Sequence, residues 1–102
     1  MFQPDLLKNK TILITGGGTG LGKSMATRFG ELGANLIISS RKQEVLDQTA
    51  EELRQTGAKV FPFSCDVRNP LEIDELLKQT KSRFDHIDAL VNNAAGNFIS
   101  PI

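Results

Sequence analysis

Residues 15–22 read Thr-Gly-Gly-Gly-Thr-Gly-Leu-Gly, and the fold turns on what stands either side of them. A short apolar run, TILI at residues 11–14, comes before, and a segment of helical period follows. The glycines therefore sit where a buried strand turns into a helix. Glycine lets the backbone take positive φ and come close to a ligand, and the unpaired N–H groups and dipole of the following helix favour an anion. Gly16, Gly20 and Gly22 are spaced with three residues and then one between them, which departs from the usual G-x-G-x-x-G. A glycine-rich strand-to-helix turn with no ligand would look the same locally, so the surrounding chain has to decide.

Working outward, the first helix is expected over 21–32, with Leu21, Met25, Phe29 and Leu32 on one face and Gly33 closing it. NLIIS at 35–39 reads as a second strand. From 42 to 56 the period is helical again: Val45, Leu46, Thr49, Ala50 and Leu53 form a buried stripe, the outer face of Glu, Arg and Gln reads as solvated, and Gly57 ends the helix. A third strand over 60–64 contains Pro62, which lacks a ladder donor and points to a sheet edge. Asn69 is placed to cap a third helix, with Pro70 and Glu72 in its first turn and Ile73, Leu76, Leu77, Thr80 and Phe84 on its inner stripe. A fourth strand, 89–91, runs into NNAAGNFISPI.

Strands and helices thus alternate, which implies right-handed crossovers and a parallel sheet with helices on both faces. The expected fold is α/β, a Rossmann-type doubly wound sheet in which residues 1–102 supply the first four strands, in order 3-2-1-4, of a larger domain. Pro62 falls on an edge in that order. The loops after all four strands share one end of the sheet, where such folds bind ligands. In that context the glycine turn becomes a phosphate-binding candidate, with Gly16, Gly17, Gly18, Thr19, Gly20 and Leu21 as its residues.

Composition narrows the alternatives. The chain has 102 residues, twelve Lys plus Arg and twelve Asp plus Glu. Overall charge therefore gives no support to a nucleic-acid or membrane-surface role. The single cysteine, Cys65, has no internal disulfide partner and no metal-ligand spacing around it, so a buried, reduced thiol in a cytoplasmic setting is expected, and no metal site. No stretch has the length and apolarity of a transmembrane helix. His86 stands alone near a helix end and reads as a surface or capping residue.

The end of the second strand bears on the cofactor. NAD binders usually place an acidic residue about 20 residues beyond the glycines to bind the ribose hydroxyls. Here the residues are Ser39, Ser40, Arg41 and Lys42. A carboxylate would repel a 2′-phosphate, whereas arginine can hold one with paired, charge-assisted bonds, so NADP(H) is expected, with Arg41 and Lys42 near that phosphate. The plainer alternative is that both merely open the next helix.

TGGGTGLG, Asp66-Val67 after the third strand and Asn92-Asn93-Ala94 after the fourth together resemble the short-chain dehydrogenase/reductase family. The resemblance implies that the glycines cradle the pyrophosphate, that Asp66 hydrogen-bonds the adenine and Val67 packs on it, and that Asn92 to Ala94 support the sheet and border the cofactor. Within the family, ITGGGTGLGK, SRK, CDVR and NNAAGNFISP are similar to the NADPH-dependent 2,4-dienoyl-CoA reductases, including the extra Ala95 before Gly96. That likeness implies an unsaturated acyl-CoA substrate, oxidoreductase activity in fatty acid β-oxidation and a homo-oligomeric parent. It also implies that Arg41 touches the cofactor's 2′-phosphate and the phosphorylated end of coenzyme A, that Arg68 adds a contact to the acyl-CoA, and that Asn97 and Phe98 lie by the dienoyl thioester. Hydride addition to such a thioester drives charge onto its oxygen, which the Asn97 amide is chemically suited to stabilise. Asn97 as a turn residue, Phe98 as core and Arg68 as a helix-start residue are the structural alternatives.

The family's proton-handling Tyr and Lys follow the fifth strand, and this chain contains no tyrosine. No catalytic residue is therefore expected up to Ile102, and the 102 residues are expected to be inactive by themselves. Lacking a fifth strand, the edge of strand four is expected to be unpaired and prone to recruit other chains. Two other readings stay open: a 3-oxoacyl or other carbonyl reductase of the same family, and a non-catalytic NADP(H)-binding half-domain.

Overall fold

The computed structural model describes residues 6–16, 20–66 and 68–92, and the backbone of 98–101. Its elements are β1 (Thr11–Thr15), α1 (Gly20–Glu31), β2 (Asn35–Ser40), α2 (Gln43–Arg54), β3 (Val60–Ser64), α3 (Pro70–Phe84), β4 (Ala89–Asn92) and β5 (Phe98–Pro101). The sheet order is β3-β2-β1-β4-β5. The first four strands pair in parallel, with Thr15 opposite both Ser39 and Asn92. Order 3-2-1-4 among them is as the alternation predicts, and Pro62 does lie on the edge strand.

β5 is a departure from expectation. The outer edge of β4 is paired rather than open, and Phe98 stands opposite Asn92 and Pro101 opposite Ala89 in antiparallel register. A parallel partner needs a crossover of a dozen or more residues, while the few residues between Asn92 and Phe98 suffice only to reverse the chain. Residues 98–101, in which Phe98 and Ile99 suit a pleated strand, supply the pairing.

Alternation along the central strands divides the core in two. Ile12, Ile14, Leu36, Ile38 and Val91 face α1 and α2, packing on Ala26, Leu46, Ala50 and Leu53. Leu13 and Ile37 face α3, packing with Cys65, Leu76 and Ile87. Burying each such Leu or Ile contributes about 1.5–3 kcal/mol. On α2 the buried residues are Leu46, Thr49, Ala50 and Leu53, with Val45 only half-buried. The α1–α2 pair is joined on its outer side by a Lys23–Glu52 ion pair.

Local signals set the helix ends. Gly33 and Gly57 take positive φ beyond α1 and α2, and the Asn69 side chain accepts the Leu71 N–H at 3.0 Å to cap α3. At the base of the sheet, Asp88 Oδ2 accepts the Thr11 N–H at 2.7 Å, while the Asp88 N–H donates to Thr11 O at 2.8 Å. His86 is exposed, and its Nε2 lies 2.9 Å from Asn9 O and 3.0 Å from Asp88 Oδ2. It therefore ties the surface at the sheet's lower end.

Candidate functional site

Thr15, Ser40, Ser64 and Asn92 end their strands on the same side of the sheet, so the chain leaves β1, β2, β3 and β4 at that end. Gly16 and Gly20 both have positive φ, 67° and 58°, a conformation that residues with a Cβ rarely adopt. The Gly16 N–H donates to Ser39 O at 2.6 Å, which pins the turn across the tops of β1 and β2. Nothing lies within 4 Å of where a Cβ on Gly20 would stand, so the start of α1 is open to a ligand.

The Thr15 hydroxyl lies between two acceptors on β4, 3.0 Å from Asn92 Oδ1 and 3.4 Å from Val91 O. Asn92 thus braces the middle of the sheet beside the glycine turn. Thr15 opens the glycine stretch, but the sequence alone gives it no role; its position directly before the glycines is the available signal.

Arg41 is exposed, and its carbonyl lies 3.4 Å from the Ser64 hydroxyl, joining the β2–α2 and β3–α3 connections. Lys42 is the N-cap of α2 and its N–H donates to Ser40 Oγ at 3.1 Å, so its backbone opens the helix. Asp66 and Arg68 are joined directly. Asp66 Oδ1 accepts from the Arg68 backbone N–H at 2.9 Å and from Nε at 3.1 Å, and Oδ2 accepts from Nη2 at 3.0 Å. These hydrogen bonds lower the Asp66 pKa to about 2, with the charges of Arg68 and Arg41 adding to the effect. Glu72 Oε1 accepts the Asp66 N–H at 3.2 Å, anchoring the turn from α3. Burial raises the pKa of the neighbouring Cys65 thiol, although the Ser39 hydroxyl beside it pulls the other way.

Phe98 pairs with Asn92 and so is placed at the ligand end of the sheet. Gly17, Gly18, Thr19, Val67, Ala94 and Asn97 lie outside the described residues, and for Leu21 only the backbone, in the first turn of α1, is described. A groove of about 750 Å³ runs along the α3 side. Leu13, Leu76, Leu77 and Leu90 line it, with Thr15, Arg68 and Asn92 among its polar residues. Among the described residues no group of three or more His, Cys, Asp or Glu is placed to hold a metal ion, and no helix is long and apolar enough to cross a membrane.

A parallel sheet of order 3-2-1-4, a glycine turn at its ligand end and an exposed arginine after β2 define a doubly wound α/β protein of the dinucleotide-binding class. Residues 10–102 match the short chain dehydrogenase family, and the chain belongs to it. It is 48% identical over 101 residues to a probable 2,4-dienoyl-CoA reductase 3 of Caenorhabditis elegans, covering 97% of this chain and 33% of that protein. An uncharacterized oxidoreductase of the same organism is 46% identical over 100 residues, 96% of this chain and 32% of the relative. A peroxisomal 2,4-dienoyl-CoA reductase of Arabidopsis thaliana is 37% identical over 99 residues, 97% and 33% of the two chains. The chain therefore spans about a third of the length of the curated relatives it matches.

Among solved structures, the citronellol catabolism dehydrogenase of Pseudomonas aeruginosa superposes with a TM-score of 0.86 at 35% identity, over 90% of this chain and 38% of that one. An F189W actinorhodin polyketide ketoreductase with NADPH gives 0.80 at 36% identity, over 82% and 32%. The family is one of oxidoreductases whose Rossmann fold binds a nicotinamide cofactor.

Proposed function

We propose that this chain is the cofactor-binding part of an NADP(H)-dependent reductase acting on unsaturated fatty acyl-CoA thioesters. The observation that carries the cofactor choice is the exposed Arg41 after β2, where Ser39, Ser40 and Lys42 are its neighbours and no carboxylate stands to receive ribose hydroxyls. The open, positive-φ turn at Gly16 and Gly20 suits a pyrophosphate, and Gly17, Gly18, Thr19 and Leu21 complete it in this reading. Asp66, an acceptor with no proton to give, suits an amino group of the adenine, with Val67 against the ring and Asn92 and Ala94 along the cofactor's border. Lys42 adds positive charge near the 2′-phosphate.

The substrate class rests on the likeness to dienoyl-CoA reductases over nearly the whole chain. Arg41 and Arg68 would meet the anionic end of coenzyme A, and Asn97 and Phe98 the thioester. When bound, NADPH supplies the hydride. This chain's residues would orient cofactor and acyl group and, through the Asn97 amide, hold the thioester oxygen as charge gathers on it. The proton would come from the family's Tyr and Lys in the polypeptide that relatives carry beyond this third, so the 102 residues are expected to give no turnover. A reducing, cytoplasmic compartment agrees with the buried lone thiol.

Titration with NADPH and with NADH, followed by nicotinamide fluorescence, tests the reading. Preference for NADPH should fall about 10–100-fold in Arg41→Ala, the equivalent of roughly 1.5–3 kcal/mol for hydrogen bonds to a charged group. Equal affinity for the two cofactors, or a preference that survives Arg41→Ala, would refute it.

A further inference from the structure

Three N–H groups of one residue converge on the Asp66 carboxylate: the backbone N–H and Nε of Arg68 on Oδ1, and Nη2 on Oδ2. A carboxylate offers about four acceptor positions over its two oxygens. Oδ1 is thus filled and Oδ2 keeps one position. The plane of the carboxylate is fixed by the two parallel bonds to the guanidinium, an arrangement that specifies direction as well as charge. The backbone beneath it is also held, since the Asp66 N–H donates to Glu72 Oε1 and the Asp66 carbonyl accepts the Asn69 N–H at 2.9 Å. Both side chains remain accessible, at 29% exposure for Asp66 and 73% for Arg68, so a ligand can reach the remaining acceptor.

We infer that Arg68 is a positioning residue of the cofactor site, fixing Asp66 so that the remaining acceptor position on Oδ2 takes the exocyclic amino group of the adenine. The inference rests on the NADP(H) reading above. Without the clasp, the Asp66 side chain rotates freely and must be ordered when the base arrives, which costs affinity. Nη1 takes no part in either side-chain bond, so this role leaves Arg68 able to reach an acyl-CoA phosphate as well.

The test compares binding of NADPH with binding of its hypoxanthine analogue, in which a carbonyl oxygen replaces the amino group. The 102-residue chain should prefer NADPH about tenfold. Arg68→Ala should abolish that preference by weakening NADPH while leaving the analogue within about twofold, and Arg68→Lys, which keeps the charge but not the fork, should lose it too. Equal losses for both ligands in Arg68→Ala would reduce Arg68 to a structural residue and overturn the proposal, as would full preference in Arg68→Lys. Failure of the chain to bind either dinucleotide would refute the cofactor reading itself and this proposal with it.

A second measurement is independent of any ligand. Carbon-13 NMR titration of the Asp66 carboxyl should move its midpoint from about 2 up towards the ordinary carboxylate range in Arg68→Ala. Arg41, facing from the β2–α2 connection, stays in place, and Glu72, facing from α3, keeps its bond to the Asp66 N–H. An unmoved midpoint would show that the pair does not form in solution and would overturn the proposal.

Discussion

Replacing Gly30 by alanine sets two effects against each other. Gly30 is buried within α1, and a methyl group there would stand 2.8 Å from Thr56 Oγ1, 3.2 Å from Ala58 Cβ and 3.4 Å from Leu36 Cδ1. Alanine improves helix propensity by about 1 kcal/mol. The Thr56 hydroxyl, however, is not free to swing aside. It donates to Leu53 O at 2.7 Å and accepts the Ala58 N–H at 3.3 Å, and displacing it forfeits about 1 kcal/mol of hydrogen bonding. Ala58 Cβ moves only with its backbone, and Leu36 is fully buried, so overpacking adds about 1–3 kcal/mol. The expected net effect of Gly30→Ala is a loss of about 1–3 kcal/mol, read by urea unfolding followed by circular dichroism. Each kcal/mol corresponds to roughly 4–8 °C in Tm for a domain of this size. Thr56→Ala removes the nearest clashing atom, so the double variant should show a favourable coupling of about 1 kcal/mol. A neutral or stabilising Gly30→Ala, or strictly additive variants, would show that α1 does not sit this close to the β2 and α2–β3 region.

Asn69→Ala should cost about 1 kcal/mol by removing the cap on the Leu71 N–H, and Asn69→Ser should restore most of it; equal melting of all three proteins would discount the cap. The depressed Asp66 carboxyl stabilises the folded state fully above its ordinary value of 3.8, and that contribution fades as pH falls towards about 2. The stability difference between the chain and Asp66→Asn should therefore narrow over that interval, and a constant difference in acid titrations would contradict the pairing. Cys65 is 2% exposed and its pKa is raised by burial, so iodoacetamide should modify it far more slowly in the folded than in the urea-unfolded chain. Equal rates would mean that α3 leaves its seat readily.

The strands and helices were legible because their signals are local and strong. The apolar period of α2, the Asn69-Pro70 start of α3 and the proline in β3 each have one physical meaning at one place in the chain. β5 was not legible: a four-residue run such as FISP says nothing about which edge it will meet or in which direction. The glycine turn and Arg41 stand out in the sequence as a candidate site because their chemistry is unusual for a strand end. The Asp66–Arg68 clasp could not, since two exposed opposite charges two residues apart seldom adopt paired geometry, and only the turn anchored by Glu72 brings them into it. The bracing role of Thr15 could not be read, because a threonine at the end of a buried strand is ordinary until Asn92, distant in sequence, is set beside it.

The double hydrogen bond between Thr11 and Asp88 and the Thr15–Asn92 contact each join residues 77 positions apart. β1, the first strand in the sequence, is therefore a central strand whose second neighbour comes last but one. β1 and β2 can pair early through a short crossover, but the other side of β1 stays open until residues 88–92 have been made and have folded back across it. Closing so long a loop is slow compared with forming any of the three helices. The glycine turn at the tip of β1 thus lies far ahead of β4 in the chain, yet the Thr15 contact beside it is complete only once Asn92 is in place. The candidate site at that end of the sheet is therefore complete only after β4 has paired with β1.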